Sequence, residues 1–463
     1  MGLTQVKAAG IAADSIDESK IADNGIDSEH YNDGSIDHEH LANDAVDGDI
    51  IADNAVGLAH MASGTDGVII TYDASGDPVH VGPGSDGQVL TSTGAGSPPA
   101  FETISSSDTL SFRNVLFNGD MRVNQKETSV SSVTGSGYHV IDTYRFVPSS
   151  IGAWTVSQDS ESPDAFSKSY KFDCTTAESM SGNNGSRLRL QIRLEGNTLQ
   201  SFQKGTSGAK AFAISFWTKT NKAGTYVVRL ADIDNSRHCS GSYTVSSSEA
   251  SGQTWVKREI VLPADTTGAF DDDTNKSAEL EFVFGAGSDM TSGTMATSWA
   301  ATSDATSCGS QNVNLGDNTS NVFYLTGIQL EPTSVTDFEY RSYADNLTRC
   351  KRYYQKYDVA DGNNNLHAAF GIMSTAWYGY FQFSLPVEMR TSGNCSLEGT
   401  WAILQGNDWS GDVDFVSYDS PHSFHPGVRL GDSGNNFADG NHGLGFFQAQ
   451  NNSSARINFY AEL

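Results

Sequence analysis

The stretch "AFAISFWTKT", residues 211–220, decides the fold class of this 463-residue chain. Phe212, Ile214 and Phe216 alternate with smaller residues, and this alternation is typical of a β-strand with one buried face. Comparable stretches are separated by polar turns, with no long helical pattern between them: "TYVVRLADID" (225–234), "TWVKREIVLP" (254–263), "AELEFVFGAG" (278–287) and "NVFYLTGIQL" (321–330). Many short strands at this spacing predict a mainly β fold, with a jelly-roll-like β-sandwich over residues 108–345. The polar residues 288–320 interrupt the strands, and loops of that length are usually functional or disordered.

Residues 1–63 follow a different period. Between the large residues lie mostly Asp, Asn, Ser, Gly and Ala, which favour tight turns, and ten-residue units such as "SIDESKIADN" (15–24) are visible. Neither a helix nor a strand places an apolar or aromatic residue at every fifth position, as this chain does at Val6, Ile11, Ile16, Ile21, Ile26, Tyr31, Ile36, Leu41, Val46, Ile51, Val56 and Met61. We call these residues the repeat stripe.

The repeat stripe cannot form a core within one thin chain, because only one residue in five is large and apolar. Repetition gives every unit the same need for a partner surface, and identical chains around a common axis satisfy it in a closed assembly. We therefore predict an elongated homotrimeric fibre with residues 1–63 as its shaft. The alternative is a pentapeptide β-helix within a single chain, for which the segment is short and lacks obvious caps.

Residues 64–107 are predicted to form a small β collar or linker. Glycine-containing turns at 64–67 and 84–87 each precede a short apolar or β-branched run, at 68–72 and 88–92. No Lys-Ser/Thr pair and no helix follow these glycines, so they do not predict a phosphate-binding loop.

The charge of the chain restricts its partners. The sequence has 28 basic and 56 acidic residues, a formal net charge of −28. This balance argues against nucleic acid and anionic membrane surfaces as partners. No apolar run approaches the roughly 18 residues of a membrane span, so we expect no membrane insertion, and the first ten residues do not resemble a signal peptide. The five cysteines lack paired spacing and are expected to be buried free thiols.

Residues 346–463 are predicted to form a small β tip domain, with strands near 371–385 and 398–406. In its loops an indole lies among amides and carboxylates, and an exposed indole can stack on a sugar while its polar neighbours bind hydroxyls. The alternative places Trp409 in a core or trimer interface, as we expect for Trp377 and Trp401. The candidate receptor-binding residues are Asn407, Asp408, Trp409, Asp412 and Tyr418.

The acidic residues bear on two further chemistries. Asp271, Asp272 and Asp273 are adjacent, which suits calcium but equally an exposed turn between strands. Glycoside hydrolysis needs two converging carboxylates, and the many acidic residues single out no pair. We therefore predict that the protein is not an enzyme and uses no cofactor.

Several motifs, in their order, resemble one family of proteins. The segments "VLFNGDMRVNQ" (115–125) and "YHVIDTYR" (138–145) are similar to the opening of a β-sandwich domain of bacteriophage tail fibres. The segment at 324–357 resembles its "G-x-Q-L-E…F-E-x-R" close and the "C-x-R-Y-Y" run that follows. The start "MGLTQVKAAGI" and the linker at 84–101 resemble tail fibres of marine phages, especially those of cyanobacteria. Family members often have Asp-Arg-Trp where this chain has Asp-Thr-Tyr at 142–144, so ligand contacts do not carry over.

The resemblance implies a function in the virion tail. The N-terminus would attach to phage tail proteins, either an adaptor or nozzle or the baseplate. The C-terminal β domains would recognise a host-surface receptor, a glycan or an outer-membrane protein. Alternatives are a tailspike with polysaccharide-depolymerase activity and a structural decoration protein of the virion.

The segment "SIDHEHLAND", residues 35–44, holds the candidate metal ligands His38 and His40. Some trimeric fibres of the resembled family surround an axial metal with a His-x-His pair from each chain, and imidazole suits transition metals. In the ten-residue register, however, His40 occupies the position of Lys20 and His30. This register favours a repeat position over a metal ligand.

Overall fold

In the computed structural model the chain divides into two compact units, Met1–Ile104 and Ser105–Leu463. The structure describes residues 11–43, 45–46, 50–51, 63–103, 112–180, 185–358, 367–374, 378–405, 408–413, 415–420, 427–431, 444–449 and 455–463. The described chain is mainly β, as predicted. No described helix is long and apolar enough to cross a membrane.

The first unit opens with a backbone that repeats every ten residues. Three 3-10 helices, Glu18–Lys20, Ser28–His30 and His38–His40, lie at equivalent positions. Between them the chain takes left-handed turns at Asp14, Asn24 and Gly34, with φ between 62° and 77°. The turn residues Asp, Asn and Gly are those that adopt this conformation most readily. The sequence repeat is therefore a conformational repeat as well.

Every described residue of the repeat stripe is exposed in the single chain. The exposed fraction runs from 40% at Ile21 and Ile51 to 55% at Ile16. No strand pairing occurs in the described part of residues 11–51, whereas a single-chain β-helix would bury these side chains between paired coils. The observed backbone gives no support to that alternative.

Two short hairpins complete the first unit. Strand β1 (Ile69–Tyr72) pairs with β2 (Pro78–Val81), and β3 (Gln88–Thr91) pairs with β4 (Ala100–Thr103). Gly67 and Gly87, which precede β1 and β3, have φ of 79° and 83°, so both predicted turns use the freedom of glycine. The predicted short strands at 68–72 and 88–92 are confirmed.

Two six-stranded antiparallel sheets form the β-sandwich of the second unit. The first sheet has the order β13 (Val256–Leu262), β10 (Phe212–Thr220), β16 (Val322–Pro332), β8 (Ser169–Thr176), β7 (Ala153–Asp159) and β5 (Ser129–Val133). The second sheet has the order β15 (Ala300–Ala301), β12 (Arg237–Val245), β11 (Gly224–Asp232), β14 (Lys276–Ala286), β9 (Arg187–Glu195) and β6 (Tyr144–Ser149). The strands predicted from the alternating stretches are thus confirmed.

Aromatic residues from both sheets meet in one core. The ring centroids of Phe216 on β10 and Phe282 on β14 are 4.9 Å apart. Phe172 on β8 and Phe284 on β14 are separated by 5.2 Å. These contacts hold the sheets face to face, since such aromatic pairs add to the stabilisation from buried area.

The segments between the strands carry short helices. They are Gly196–Thr198, Gln200–Phe202, α1 (Ser247–Gly252), α2 (Ser288–Thr291), Asp304–Thr306 and Leu315–Asp317. The polar stretch 288–320, for which the sequence left function or disorder open, is ordered. Met290 and Cys308 from this stretch pack with Val227 and Val283 on the outer face of the second sheet.

The C-terminal part begins with helix α3 (Tyr343–Lys351) and contains two sheets. The smaller sheet has the order β17 (Tyr354–Asp358), β26 (Arg456–Tyr460) and β20 (Asn394–Glu398). The larger has the order β22 (Asp408–Asp412), β21 (Trp401–Gln405), β25 (Leu444–Ala449), β18 (His367–Met373), β19 (Tyr378–Gln382), β24 (Gly427–Gly431) and β23 (Phe415–Ser420). Trp401 is fully buried in the core between them, as predicted, while Trp377 lies outside the described residues.

The two motifs that carry the family resemblance meet in space. The backbone N–H of Ile328 donates to the carbonyl of Gly119 at 3.0 Å, and the N–H of Asn118 donates to the Asn346 side chain at 3.0 Å. Arg341 donates to the carbonyl of Asn114 at 2.6 Å. These residues join the start of the sandwich to its end, so their role is structural.

The five cysteines are free, as predicted. Four are buried, and Cys395 is half-buried. The predicted domain boundaries at 63, 107 and 345 stay predictions.

Candidate functional site

The described candidate receptor-binding residues, which the sequence predicts to lie in loops, lie instead on two strands of the larger C-terminal sheet, because β22 pairs with β21 and β23 pairs with β24. Asp408, Trp409 and Asp412 lie on β22, Tyr418 lies on β23, and Asn407 lies outside the described residues. β22 and β23 are the two end strands in the sheet order, with five strands between them. The sheet therefore does not pair the Trp409 strand with the Tyr418 strand, and receptor binding by these residues stays a prediction.

The candidate metal ligand His40 has a defined local role. Its Nδ1 lies 2.7 Å from the Asp37 carboxylate, and His30 makes the same 2.7 Å contact with Asp27. Lys20 occupies the equivalent position and contacts Asp17 at 2.5 Å. At the last residue of each 3-10 helix, an ammonium or imidazole group thus contacts the aspartate that caps the helix. Metal binding by His38 and His40 stays a prediction.

The aspartates at 271–273 form a turn. The Asp273 carboxylate accepts a hydrogen bond from the backbone N–H of Asn275 at 2.9 Å, and the Asp271 N–H donates to Asp234 at 3.0 Å. Among the described residues no group of three or more His, Cys, Asp or Glu side chains is placed to hold a metal ion.

A polar cavity of about 310 Å³ lies where the sandwich meets the smaller C-terminal sheet. We call it the junction pocket. Its lining combines aromatic rings, carboxylates, cations and amide or hydroxyl groups, from Lys126, Glu127, Tyr138, His139, Tyr354, Ser396, Glu398, Arg456, Asn458, Tyr460 and Glu462. None of these residues was among the predicted site residues.

One face of the smaller sheet forms the C-terminal wall of the junction pocket. Arg456, Asn458 and Tyr460 are alternate residues of β26, and Ser396 and Glu398 are alternate residues of β20. Because alternate residues of a strand share a face, these side chains point to one side while Ile457 and Phe459 enter the core. The strand period thus produces a polar face over an apolar one.

Hydrogen bonds fix the polar groups of this wall. The Tyr354 hydroxyl donates to the side-chain oxygen of Asn458 at 2.7 Å. The Asn458 amide donates to Glu398 at 2.7 Å and to the Ser396 hydroxyl at 3.3 Å. Asn458 is 4% exposed, so its orientation is set before any ligand arrives.

The sandwich wall centres on Lys126. Its ammonium is paired with the Glu462 carboxylate and lies 4.6 Å from the Tyr354 ring centroid and 5.2 Å from that of Tyr138. A cation over two ring faces is attracted by both ring quadrupoles. The Tyr138 hydroxyl donates to the carbonyl of Leu463 at 2.7 Å, which fixes the second ring.

Ion pairs cross the rim of the junction pocket. Arg456 contacts Glu127 of the sandwich at 2.7 Å and Glu398 of the smaller sheet at 3.4 Å. The side chains of Glu127 and Glu398 are 57% and 51% exposed. Their carboxylates are therefore accessible to a ligand from solvent.

Burial shifts several protonation equilibria in and below the junction pocket. It raises the pKa of Glu462 to about 7, although the Lys126 ammonium opposes the rise. It raises the pKa of Asp142, which lies under the pocket, to about 6. It also raises the pKa of the Tyr138 hydroxyl to about 12. Loss of solvation of the charged form is the largest cause in each case.

A weak sequence signal for this wall was present. The last strand reads "RINFY", with polar and apolar residues alternating at 456–460. That pattern predicts a half-exposed strand but does not reveal which partner faces it. The partner residues near position 126 are far away in the sequence.

Comparisons with known proteins found similarity only to solved structures. No family model matches the chain, and no curated protein sequence matches it. Among solved structures, the enzymatically active domain of tailspike protein 4 of bacteriophage CBA120 aligns with 48% of this chain at 14% identity and a TM-score of 0.26. The aligned part spans only 21% of that tailspike structure.

Two carbohydrate-binding modules are also similar. The xylan-binding domain CBM22-1 of Paenibacillus barcinonensis Xyn10C aligns over 45% of this chain and 95% of its own, at 10% identity and a TM-score of 0.23. The family 11 module of a Clostridium thermocellum cellulase aligns over 48% and 96%, at 13% identity and a TM-score of 0.20. At these TM-scores the similarity does not identify what this chain binds.

Proposed function

We propose that this chain is a virion attachment protein that binds a host-surface saccharide in the junction pocket. The observation that supports the saccharide is the pocket itself, in which oriented polar groups surround tyrosine rings in a cavity of about 310 Å³. Small-ligand sites commonly have volumes of roughly 300–1,000 Å³. Tyrosine faces pack against the C–H surfaces of a sugar, while carboxylates and amides accept and donate hydrogen bonds to its hydroxyls.

A microbial glycan array tests this function. We expect the full chain to bind a subset of saccharides, and Tyr460→Ala to lower that binding at least tenfold, since one lost buried aromatic contact is worth about 1.5 kcal/mol or more. The matched control is Tyr380→Ala, because Tyr380 is 40% exposed on the larger sheet and does not line the pocket. Equal binding by wild type and Tyr460→Ala would place the site elsewhere.

We propose that three copies of the chain form a homotrimeric fibre of the virion tail, with residues 1–63 as its shaft. Support comes from the repeat stripe, whose described members are all exposed in one chain although they recur at a constant spacing. We propose that the N-terminal end attaches to the tail, as the resemblance of its first residues implies. Sedimentation equilibrium of the full chain should give three times the chain mass of 49.5 kDa. A monomer at micromolar concentration would contradict the trimer.

We propose binding without hydrolysis as the activity of this site. The buried carboxyl of Glu462 is paired with Lys126. This contact gives the carboxyl a structural role and favours binding over catalysis. Incubation with every saccharide bound on the array, followed by chromatography of the products, tests this. Shortened oligosaccharides would support the depolymerase alternative and contradict plain binding.

A further inference from the structure

The cations around the junction pocket differ in how they are neutralised. Lys126 is paired with Glu462, Arg193 with Glu279 at 3.0 Å, and Arg456 with Glu127. Arg189, on the same strand as Arg193, is paired with Glu281 at 2.9 Å. Each of these cations thus has a carboxylate partner within the protein.

Arg145 has only neutral partners among the described residues. Its guanidinium donates to the Gln191 side-chain oxygen at 2.7 Å and to the Ser136 hydroxyl at 2.6 Å. No described carboxylate lies within ion-pair distance of it. The side chain is half-buried. Two neutral acceptors orient the planar fork of the guanidinium without cancelling its charge.

Arg145 lies beside the paired guanidiniums of Arg193 and Arg189. Burial lowers the pKa of Arg145, and the neighbouring guanidiniums of Arg193 and Arg189 lower it further, against the opposing effects of Tyr138 and Glu279. The chain as a whole carries a net charge of −28. A half-buried guanidinium with only neutral described partners, on so acidic a protein, favours an anion over a neutral or cationic ligand.

The backbone places Arg145 beside the junction pocket. Gly137 and Phe146 exchange two backbone hydrogen bonds, of 3.0 and 2.9 Å. This pairing fixes the segment that carries Tyr138 and His139, both of which line the pocket. The charges of Lys126 and Arg145 both act on His139, whose pKa is lowered mainly by burial. Arg145 does not itself line the pocket, but its charge acts on the lining residues Tyr138 and His139, which places the guanidinium close behind this wall.

We propose that the junction pocket takes an acidic saccharide, with the carboxylate or phosphate group of the sugar pairing with Arg145. This inference rests on the proposed function and specifies its ligand class. Carboxylates and phosphates share the geometry that a guanidinium binds with two parallel hydrogen bonds. The tyrosine faces and the Asn458–Glu398 wall then contact the ring and hydroxyls of the same sugar.

The test compares anionic saccharides with neutral counterparts. The probes are trigalacturonate, its fully methyl-esterified form and a phosphorylated trisaccharide, each titrated by calorimetry into the full chain, beside an array of neutral and acidic microbial glycans. We expect binding of one or both anionic classes and about tenfold or greater loss in Arg145→Gln, because a charged hydrogen bond is worth about 1.5–3 kcal/mol. Arg145→Lys should restore part of the affinity, since it keeps the charge without the fork.

Lys257→Gln is the matched control. It also removes one positive charge, but Lys257 pairs with Glu259 on the edge strand β13, away from the pocket lining. Its affinity for the probes should equal that of the wild type. Binding of the anionic probes should also weaken between 50 and 500 mM salt, by screening over distances of about 10 Å or less.

The outcomes separate the ligand class from the function. If neutral array glycans bind in a Tyr460-dependent manner and Arg145→Gln has no effect, the acidic ligand is wrong while the saccharide function stands. If no glycan of either class binds, both are wrong. If Arg145→Gln loses the anionic glycans but keeps the wild-type unfolding temperature, the acidic ligand is supported.

Discussion

Gly119, in the segment 115–125, cannot carry a larger side chain without moving its surroundings. A Cβ at this position would lie 2.1 Å from the carbonyl oxygen of Ile328, closer than any real contact. We expect Gly119→Ala to lower the free energy of unfolding by about 1–3 kcal/mol or more, because the strand carrying Ile328 must shift. Denaturant unfolding measures the change.

Gly135→Ala is the control for that substitution. Nothing lies within 4 Å of a Cβ at Gly135, and its φ is not positive. It should be neutral or slightly stabilising. Equal stability of the two variants would show that the contact between Gly119 and Ile328 does not hold the start and end of the sandwich together.

Glu462 makes stability depend on pH. Its pKa rises from 4.5 to about 7 on folding, so the folded state binds a proton more tightly than the unfolded state. The contribution of protonated Glu462 to the free energy of unfolding is therefore fully present below about pH 4.5 and is lost as the pH rises towards 7. The contribution is on the order of 3 kcal/mol.

Glu462→Gln tests this linkage. In the wild type, ionisation of Glu462 should lower the free energy of unfolding between pH 4.5 and 7, and the variant should lack this decrease. The control is Glu259→Gln, whose side chain is exposed; its free energy of unfolding should depend on pH as in the wild type. Ionisation of Asp142, whose pKa is about 6, should cause a smaller decrease in the free energy of unfolding in both variants. An unchanged slope in Glu462→Gln contradicts a raised pKa at this residue.

At the scale of single residues, the sequence predicts burial better than contact. Trp401 in a strand-like run was expected in a core and is found there. Lys126 and Glu462 meet across 336 positions of sequence, and no local pattern links them. The pocket was missed because its two walls come from opposite ends of the second unit.

Among the elements, the ten-residue repeat is the one that the sequence describes most fully. Its period fixes both the 3-10 helices and the left-handed turns between them. Polar stretches are harder to predict, because residues 288–320 have few apolar side chains. Met290 and Cys308 anchor that stretch. Two such side chains are too few to produce a hydrophobic period in the sequence.

Substitutions in the repeat stripe should weaken association without affecting the sandwich. The side chains of Ile26 and Tyr31 are about half exposed in one chain and would be buried by other copies in the proposed trimer. We therefore expect the double variant Ile26→Ser and Tyr31→Ser to have a lower mass in sedimentation than the wild type. Glu29→Gln, between them but outside the stripe, should leave the mass unchanged. A mass unaffected by the double variant would contradict association through the stripe.

Arg352, the residue that follows helix α3, forms an ion pair with the buried Glu195 of the sandwich. Arg352 donates two hydrogen bonds to Glu195, at 3.0 and 2.9 Å, and the Glu195 side chain is fully buried. Arg352→Met leaves that carboxylate without its cation, which costs roughly 3–5 kcal/mol in buried pairs.

Arg349→Met is the control for the Arg352 substitution. It removes a cation near the end of the same helix whose side chain is 40% exposed, so it should cost less than about 1 kcal/mol. Thermal unfolding should rank Arg352→Met well below Arg349→Met. Similar values would mean that the pair contributes little to holding α3.

For the molecule as a whole, composition and periodicity predict a mainly β chain with a repetitive N-terminal region and a β-sandwich. The alternating stretch at 211–220 is a central strand of that sandwich. The position of a ligand site depends on which distant segments of the chain come together. The repeat and strand periods do not predict those contacts. The sequence accordingly favours Trp409, whereas the junction pocket is our proposal.

The most direct test of saccharide recognition is a crystal structure of the full chain with an oligosaccharide that binds on the array. We predict electron density for the sugar in the junction pocket, with a ring against Tyr460 and its anionic group at Arg145. Density for the sugar at the strand carrying Asp408, Trp409 and Asp412, with an empty junction pocket, would contradict this account.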